Sequence, residues 1–177
     1  MTEKIIIAGA GGQGIMLLGK IMAAAAVKED KYVTWLPAYG AEVRGGAAYC
    51  MVVISDREIG SPHIDKADTL IAMNEPSLEK YKNRLKPKGI LIVNSSLVAG
   101  ESKIKNRAFS SFPFTDIALE LGNIKIANMV ALGCFLVKRK IISPESVMET
   151  IADIAPKDKL GLVKINKQAL MRGLKLR

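Results

Sequence analysis

The chain has 177 residues, 49% of them hydrophobic and 24% charged. That is ordinary globular usage, long enough for one domain and short for two, and it excludes a fibre or a disordered tail. No apolar run reaches the roughly 18 residues a bilayer span needs, and the opening Met-Thr-Glu-Lys has no secretory character. Cys50 and Cys134 are far apart and form no C-x-x-C, so a reducing cytoplasm is the expected setting.

Strand-length apolar runs alternate with helix-period runs. Lys4–Ala8 reads as a buried first strand, and Ile15–Val27, rich in Ala and free of Pro, reads as a helix. Tyr32–Leu36 is a second strand and Ala47–Ile54 a third. The link between them has no helix-length segment, so that pair is expected to be antiparallel. Asp68–Met73 and Gly89–Asn94 are further strands around a short helix over Pro76–Leu85. Arg107–Phe112 reads as a sixth strand and Pro113–Leu121 as a helix. Lys125–Lys140 is apolar nearly all round and should be buried. Ser143 caps a helix with Pro144 at its first position, and Val163–Leu174 forms a last, basic helix. The expected fold is α/β: one three-layer Rossmann-like domain over 1–177, its sheet mainly parallel with an antiparallel pair.

Gly9-Ala10-Gly11-Gly12-Gln13-Gly14 fits G-x-G-x-x-G after a strand and before a helix. That placement suits an anion at a helix N-terminus, and suits equally glycines needed only for strand–helix packing. A dinucleotide site needs an acid at the far end of the second strand. Glu29 and Asp30 lie at its near end, and Trp35-Leu36-Pro37-Ala38 offers none. A second glycine loop, Tyr39-Gly40-Ala41-Glu42-Val43-Arg44-Gly45-Gly46, brackets two opposite charges. Arg44 is suited to clamping a carboxylate, a phosphate or an acidic partner group, or else pairs with Glu42 to shape the loop.

The net charge is +9. One basic cluster runs from Lys80 to Lys88 and another from Lys157 to Arg177; each taken singly reads first as a solvated face. His63, in a Ser-Pro-His turn, reads as a surface histidine, and the two cysteines read as core thiols. No Ser-His-Asp set, Walker lysine or metal-binding carboxylate cluster can be picked out. These absences suggest part of a larger assembly.

The two glycine loops, with Ile54-Ser55-Asp56, Asp68-Thr69-Leu70-Ile71-Ala72, Asn128-Met129-Val130-Ala131-Leu132-Gly133 and Asn166-Lys167-Gln168-Ala169-Leu170, resemble the gamma subunit of the 2-oxoacid:ferredoxin oxidoreductases (the pyruvate, 2-ketoisovalerate and 2-oxoglutarate group). The Ala-Glu-Val-Arg-Gly-Gly wording leans to the 2-oxoglutarate branch. The resemblance implies a complex that decarboxylates a 2-oxoacid on thiamine diphosphate with Mg. It passes electrons through 4Fe-4S clusters to ferredoxin and releases an acyl-CoA. Those cofactors would sit on alpha, beta and delta partners, with no catalytic residue and no firmly bound cofactor on this chain. The gamma domain would pack beside them and help shape coenzyme A access. Gly9, Gly11, Gly12, Gln13 and Gly14 would form an anion or coenzyme A-side loop, and Tyr39, Glu42, Arg44, Gly45 and Gly46 a subunit-facing edge. A stand-alone nucleotide-binding oxidoreductase is the competing reading. A nucleic-acid module is the weakest, because the basic end lacks aromatics for base stacking.

Overall fold

The computed structural model describes residues 1–39, 47–99, 108–156 and 160–176. Six strands form one sheet in the order β2-β3-β1-β4-β5-β6. They are β1 (Thr2–Ala10), β2 (Tyr32–Tyr39), β3 (Ala47–Ser55), β4 (Ala67–Ala72), β5 (Leu85–Asn94) and β6 (Ala108–Phe112). β1, β4, β5 and β6 pair in parallel, whereas β3 runs antiparallel to both β1 and β2. The expected antiparallel pair is therefore present, and a single reversed strand produces it.

Both faces of the sheet are covered, which is why the central strands read as unbroken apolar runs. Along β1, Ile5 and Ile7 point into one core while Ile6 and Ala8 point into the other. The first core lies under α1 (Ile15–Val27), α3 (Phe114–Glu120), α4 (Ala127–Lys138), α5 (Pro144–Ile154) and α6 (Leu160–Gly173). The second lies under α2 (Glu75–Tyr81) and the segment carrying Ile64. α4 is buried from Ala127 through Leu136, as its all-round apolarity predicts.

Several boundaries differ from the sequence reading; β1 and β2, for example, extend to Thr2–Ala10 and Tyr32–Tyr39 because both pair with β3 along their full length. α2 stops at Tyr81, a 3-10 turn follows over Lys82–Arg84, and Leu85 already belongs to β5. There Leu85 pairs with Ala67, and the register slips before Thr69 meets Ile90, so a bulge hides the strand's start behind Lys86, Pro87 and Lys88. α4 is preceded by a 3-10 turn at Ile124–Ile126, because Asn123 accepts from the Lys125 N–H and caps that turn first. α6 starts at Leu160, three residues earlier than the basic pattern indicates. The sixth strand is described from Ala108, Arg107 lying outside the described residues. Ser143 caps α5 as expected, accepting from the Ser146 N–H at 3.1 Å, with Pro144 in the first turn.

α4 and α6 make the closest helix contact. A Cβ on Gly133 would meet the Gly173 Cα and the Leu174 nitrogen at 2.8 Å each. Two glycines face one another across this crossing, and only hydrogen fits between the backbones.

At the N-terminal edge of the sheet, buried Glu3 accepts from the Thr69 hydroxyl at 2.6 Å and pairs with the Arg139 Nε at 3.0 Å. Arg139 also donates to the Asp68 carbonyl at 3.0 Å, tying the exit of α4 to β1 and β4.

Candidate functional site

In a sheet of this kind ligands bind where neighbouring strands send their following helices to opposite faces. That point is the C-terminal edge between β1 and β4, since α1 and α2 leave to different cores. A small cavity of about 140 Å³ opens there, lined by Gly9, Ala10, Ala47, Asn74, Ser77 and Lys80 among others.

Gly9 and Ala10, where the first glycine loop begins, form one wall. Gly12 (φ 94) and Gly14 (φ 70) occupy the left-handed region, where a Cβ is unfavourable. Gln13 folds inward: its Oε1 accepts from the Ala10 N–H at 2.7 Å, and its Nε2 donates to the Met73 carbonyl at 3.2 Å. Asn94, at the end of β5, donates to the same carbonyl at 3.2 Å and to the Thr115 hydroxyl at 2.8 Å. The Met73 oxygen thus knots the ends of β1, β4 and β5 to the start of α3. Beneath the loop, Asn128 of α4 donates to the Gly14 carbonyl at 3.1 Å. A Cβ at Gly14 would collide with that amide, so packing as well as dihedral requires glycine here.

The other wall is the start of α2. Asn74 accepts from the Ser77 N–H at 3.0 Å, and the Glu75 N–H donates to the Leu97 carbonyl at 3.2 Å. These bonds use up first-turn donors that an anion would otherwise take. Among the described residues Lys80 supplies the one cation of the lining, its Nζ 5.5 Å from the Tyr81 ring centre. The crevice is far below the roughly 300 Å³ at which drug-sized ligand sites begin, so it fits a phosphate-sized group or the tip of a longer molecule.

Of the sequence-predicted residues, Gly9, Gly11, Gly12, Gln13 and Gly14 lie together along this edge. Tyr39, the last residue of β2, and Ala47, the first of β3, bring the ends of the second loop to the same edge, where Ala47 pairs with Ala10. Glu42, Arg44, Gly45 and Gly46 lie outside the described residues. Sequence reasoning missed Asn74, Asn94 and Asn128, although polar residues at the mouths of apolar elements were a usable signal. Lys80 was read only as one charge in a basic run.

Three others of that run have local partners: Lys86 with Asp68 at 2.6 Å, Lys82 with Glu79, and Arg84 with the Ile64 and Asp65 carbonyls. The run is therefore a mixed face, Lys80 and Lys88 exposed and Lys82, Arg84 and Lys86 half-buried. Glu29 accepts from the Ser143 N–H at 2.7 Å at the start of α5. Burial pushes its carboxyl up, but the Ser143 and Ser146 hydrogen bonds outweigh that and hold it below the ordinary range. It serves α5, at the opposite edge from the glycine loop, and is not available to a ribose.

Among the described residues no cluster of three or more His, Cys, Asp or Glu side chains is placed to hold a metal ion. Burial pushes the Cys50 thiol up to about 12 and the Cys134 thiol to about 11, as fits core thiols. His63 is exposed, as expected. The described lining of the crevice thus contains the start of the glycine loop, Asn74, Ser77 and one lysine, with no nucleophile–base pair among these residues.

Residues 4–176 match the family described as pyruvate ferredoxin/flavodoxin oxidoreductase. The chain is 36% identical to the 2-oxoglutarate synthase subunit KorC of Methanocaldococcus jannaschii, over 98% of this chain and 92% of that protein. It is 39% identical over 133 residues to the ketoisovalerate oxidoreductase subunit VorA of Methanothermobacter marburgensis, where the match covers 75% of this chain but only 28% of that longer protein. Among solved structures, the gamma subunit of a keto/oxoacid ferredoxin oxidoreductase from Geobacter sulfurreducens superposes with a TM-score of 0.84 at 32% identity, covering 98% of this chain and 96% of that one. A 2-oxoglutarate:ferredoxin oxidoreductase from Magnetococcus marinus, with 2-oxoglutarate, coenzyme A and succinyl-CoA bound, superposes with a TM-score of 0.91 at 26% identity, over 99% of this chain and 31% of that one.

Proposed function

Because the chain belongs to the pyruvate ferredoxin/flavodoxin oxidoreductase family, we propose that it is the gamma subunit of a multisubunit 2-oxoacid:ferredoxin oxidoreductase, a single gamma-type domain acting in the cytoplasm on 2-oxoglutarate. The observation that carries the substrate choice is the likeness to KorC across nearly the whole of both chains. A crevice without a nucleophile–base pair among its described lining residues suits a subunit that leaves the chemistry to others. In this reading alpha, beta and delta partners hold thiamine diphosphate, Mg and the 4Fe-4S clusters, and ferredoxin takes the electrons. Gly9–Gly14 forms the floor beneath coenzyme A access, while Tyr39, Glu42, Arg44, Gly45 and Gly46 face a neighbour.

Among the described residues no helix is long and apolar enough to cross a membrane. The Glu29 geometry also argues against dinucleotide binding by this chain. The test is co-expression with the partner subunits and an acyl-CoA-forming assay on 2-oxoglutarate, pyruvate and 2-ketoisovalerate. The expected kcat/KM for 2-oxoglutarate is at least about tenfold above the others, and Arg44→Ala should weaken assembly or raise the KM for coenzyme A. Equal use of all three acids overturns the substrate assignment. Unchanged assembly and kinetics in Arg44→Ala overturn the role given to the second loop.

A further inference from the structure

On α6, Lys164, Lys167 and Met171 recur at steps of three and four residues and so share one helix face, and Lys175, in the turn that follows the helix, lines the same groove. Ala169, Leu170 and Gly173 are buried, the last two against α4. The lysine face and Leu121 enclose an open groove of about 420 Å³. Its floor is apolar, with Met171 43% exposed, and the neighbouring α3 and 3-10 turn expose Leu119 and Ile124 as well. Its rim is cationic. Arg172 is committed to Glu120 at 2.9 Å, but among the described residues Lys164, Lys167 and Lys175 have no acidic partner.

Three like charges around an apolar strip repel one another and leave water on hydrocarbon. An amphipathic segment with carboxylates along its edges relieves both costs at once. Nucleic acid fits less well, since among the described residues no aromatic side chain lines the groove for base stacking. We propose that this groove docks an acidic amphipathic segment of another subunit of the complex, its apolar side chains on Leu121 and Met171 and its carboxylates against Lys164, Lys167 and Lys175. The proposal rests on the gamma-subunit reading and adds the surface and the chemistry of the contact.

Deleting the basic end is the wrong test, because Ala169, Leu170 and Gly173 belong to the fold. The complex assembled from co-expressed full-length subunits should instead be treated with a zero-length carbodiimide, which joins lysine amines to touching carboxylates. Lys164, Lys167 or Lys175 should be joined to Asp or Glu within one segment of another subunit. The triple variant Lys164→Glu, Lys167→Glu, Lys175→Glu should lower the yield of complex at least about tenfold while the circular dichroism and Tm of the isolated chain are retained. Met171→Asp alone should act in the same direction.

A wild-type complex cross-linked elsewhere but not at these lysines overturns the proposal, as does a triple variant that assembles normally. So does a groove whose charge reversal abolishes binding to single-stranded DNA or anionic vesicles and spares assembly. Failure of the wild-type chain to join any partner overturns the gamma-subunit reading, and this proposal with it.

Discussion

Arg139→Met should lower stability by about 3 kcal/mol near neutral pH, the low end for breaking a buried pair because the guanidinium is partly exposed. The cost comes from what stays behind. Glu3 is only 2% exposed, and without Arg139 its carboxylate keeps a single hydroxyl donor, Thr69. Burial already holds the Glu3 carboxyl above its ordinary range, against the opposing pull of Thr69 and Arg139. A raised acid binds its proton more readily when folded. Its favourable contribution is therefore full below the unfolded carboxyl pKa and is lost as pH rises through the folded one. In the variant that loss deepens, so the gap from wild type should be smallest in acid and widen toward neutrality. Urea unfolding across this pH range checks the slope. Glu3→Gln combined with Arg139→Met should recover part of the deficit, since no charge is then left buried.

Gly133→Ala should cost about 3 kcal/mol, the high end for overpacking, although alanine is the better helix former by about 1 kcal/mol. The new methyl meets the Gly173 Cα and Leu174 nitrogen at 2.8 Å, and backbone cannot rotate aside as a side chain can. Relief requires α6 to move off α4, loosening Ala169 and Leu170 from the core. Thermal unfolding should show a Tm lower by about 10 °C for a chain of this size. Gly161→Ala is the internal control, because a Cβ there meets nothing within 4 Å, and it should be neutral or slightly stabilising.

What could be read from the sequence were the features written locally. Ile5–Ala8 and Leu70–Ala72 announce buried strands, Ser143-Pro144 announces a helix start, and the missing helix between Leu36 and Ala47 gives the reversed strand. The strand–glycine–helix order puts the first glycine loop at the ligand-binding edge, whereas the switch-point crevice itself emerges only with the strand order and the opposite exits of α1 and α2. What stayed hidden depends on distant partners. Nothing near Glu3 foretells Arg139, and nothing near Gly133 foretells Gly173, because each pair meets only after the sheet and helices have assembled. Asn94 and Asn128 look like ordinary polar residues until the Met73 and Gly14 carbonyls are placed beside them. The start of β5 was masked by Lys86, Pro87 and Lys88, whose composition indicates a turn while pairing with β4 makes them strand. The family resemblance went further than periodicity could, since its most specific wording falls in the loop between β2 and β3, where charge and glycine spacing carry information that no local fold rule uses.

The proposed division of labour lies between this chain and its neighbours. Its most direct measurement is 2-oxoglutarate-dependent ferredoxin reduction in the presence of coenzyme A, by the purified chain alone and after adding the partner subunits. The expected result is no turnover by the chain alone and full activity on reconstitution, with the partners far less active in its absence. Oxoacid oxidation by the isolated chain, or partners equally active without it, would contradict the account.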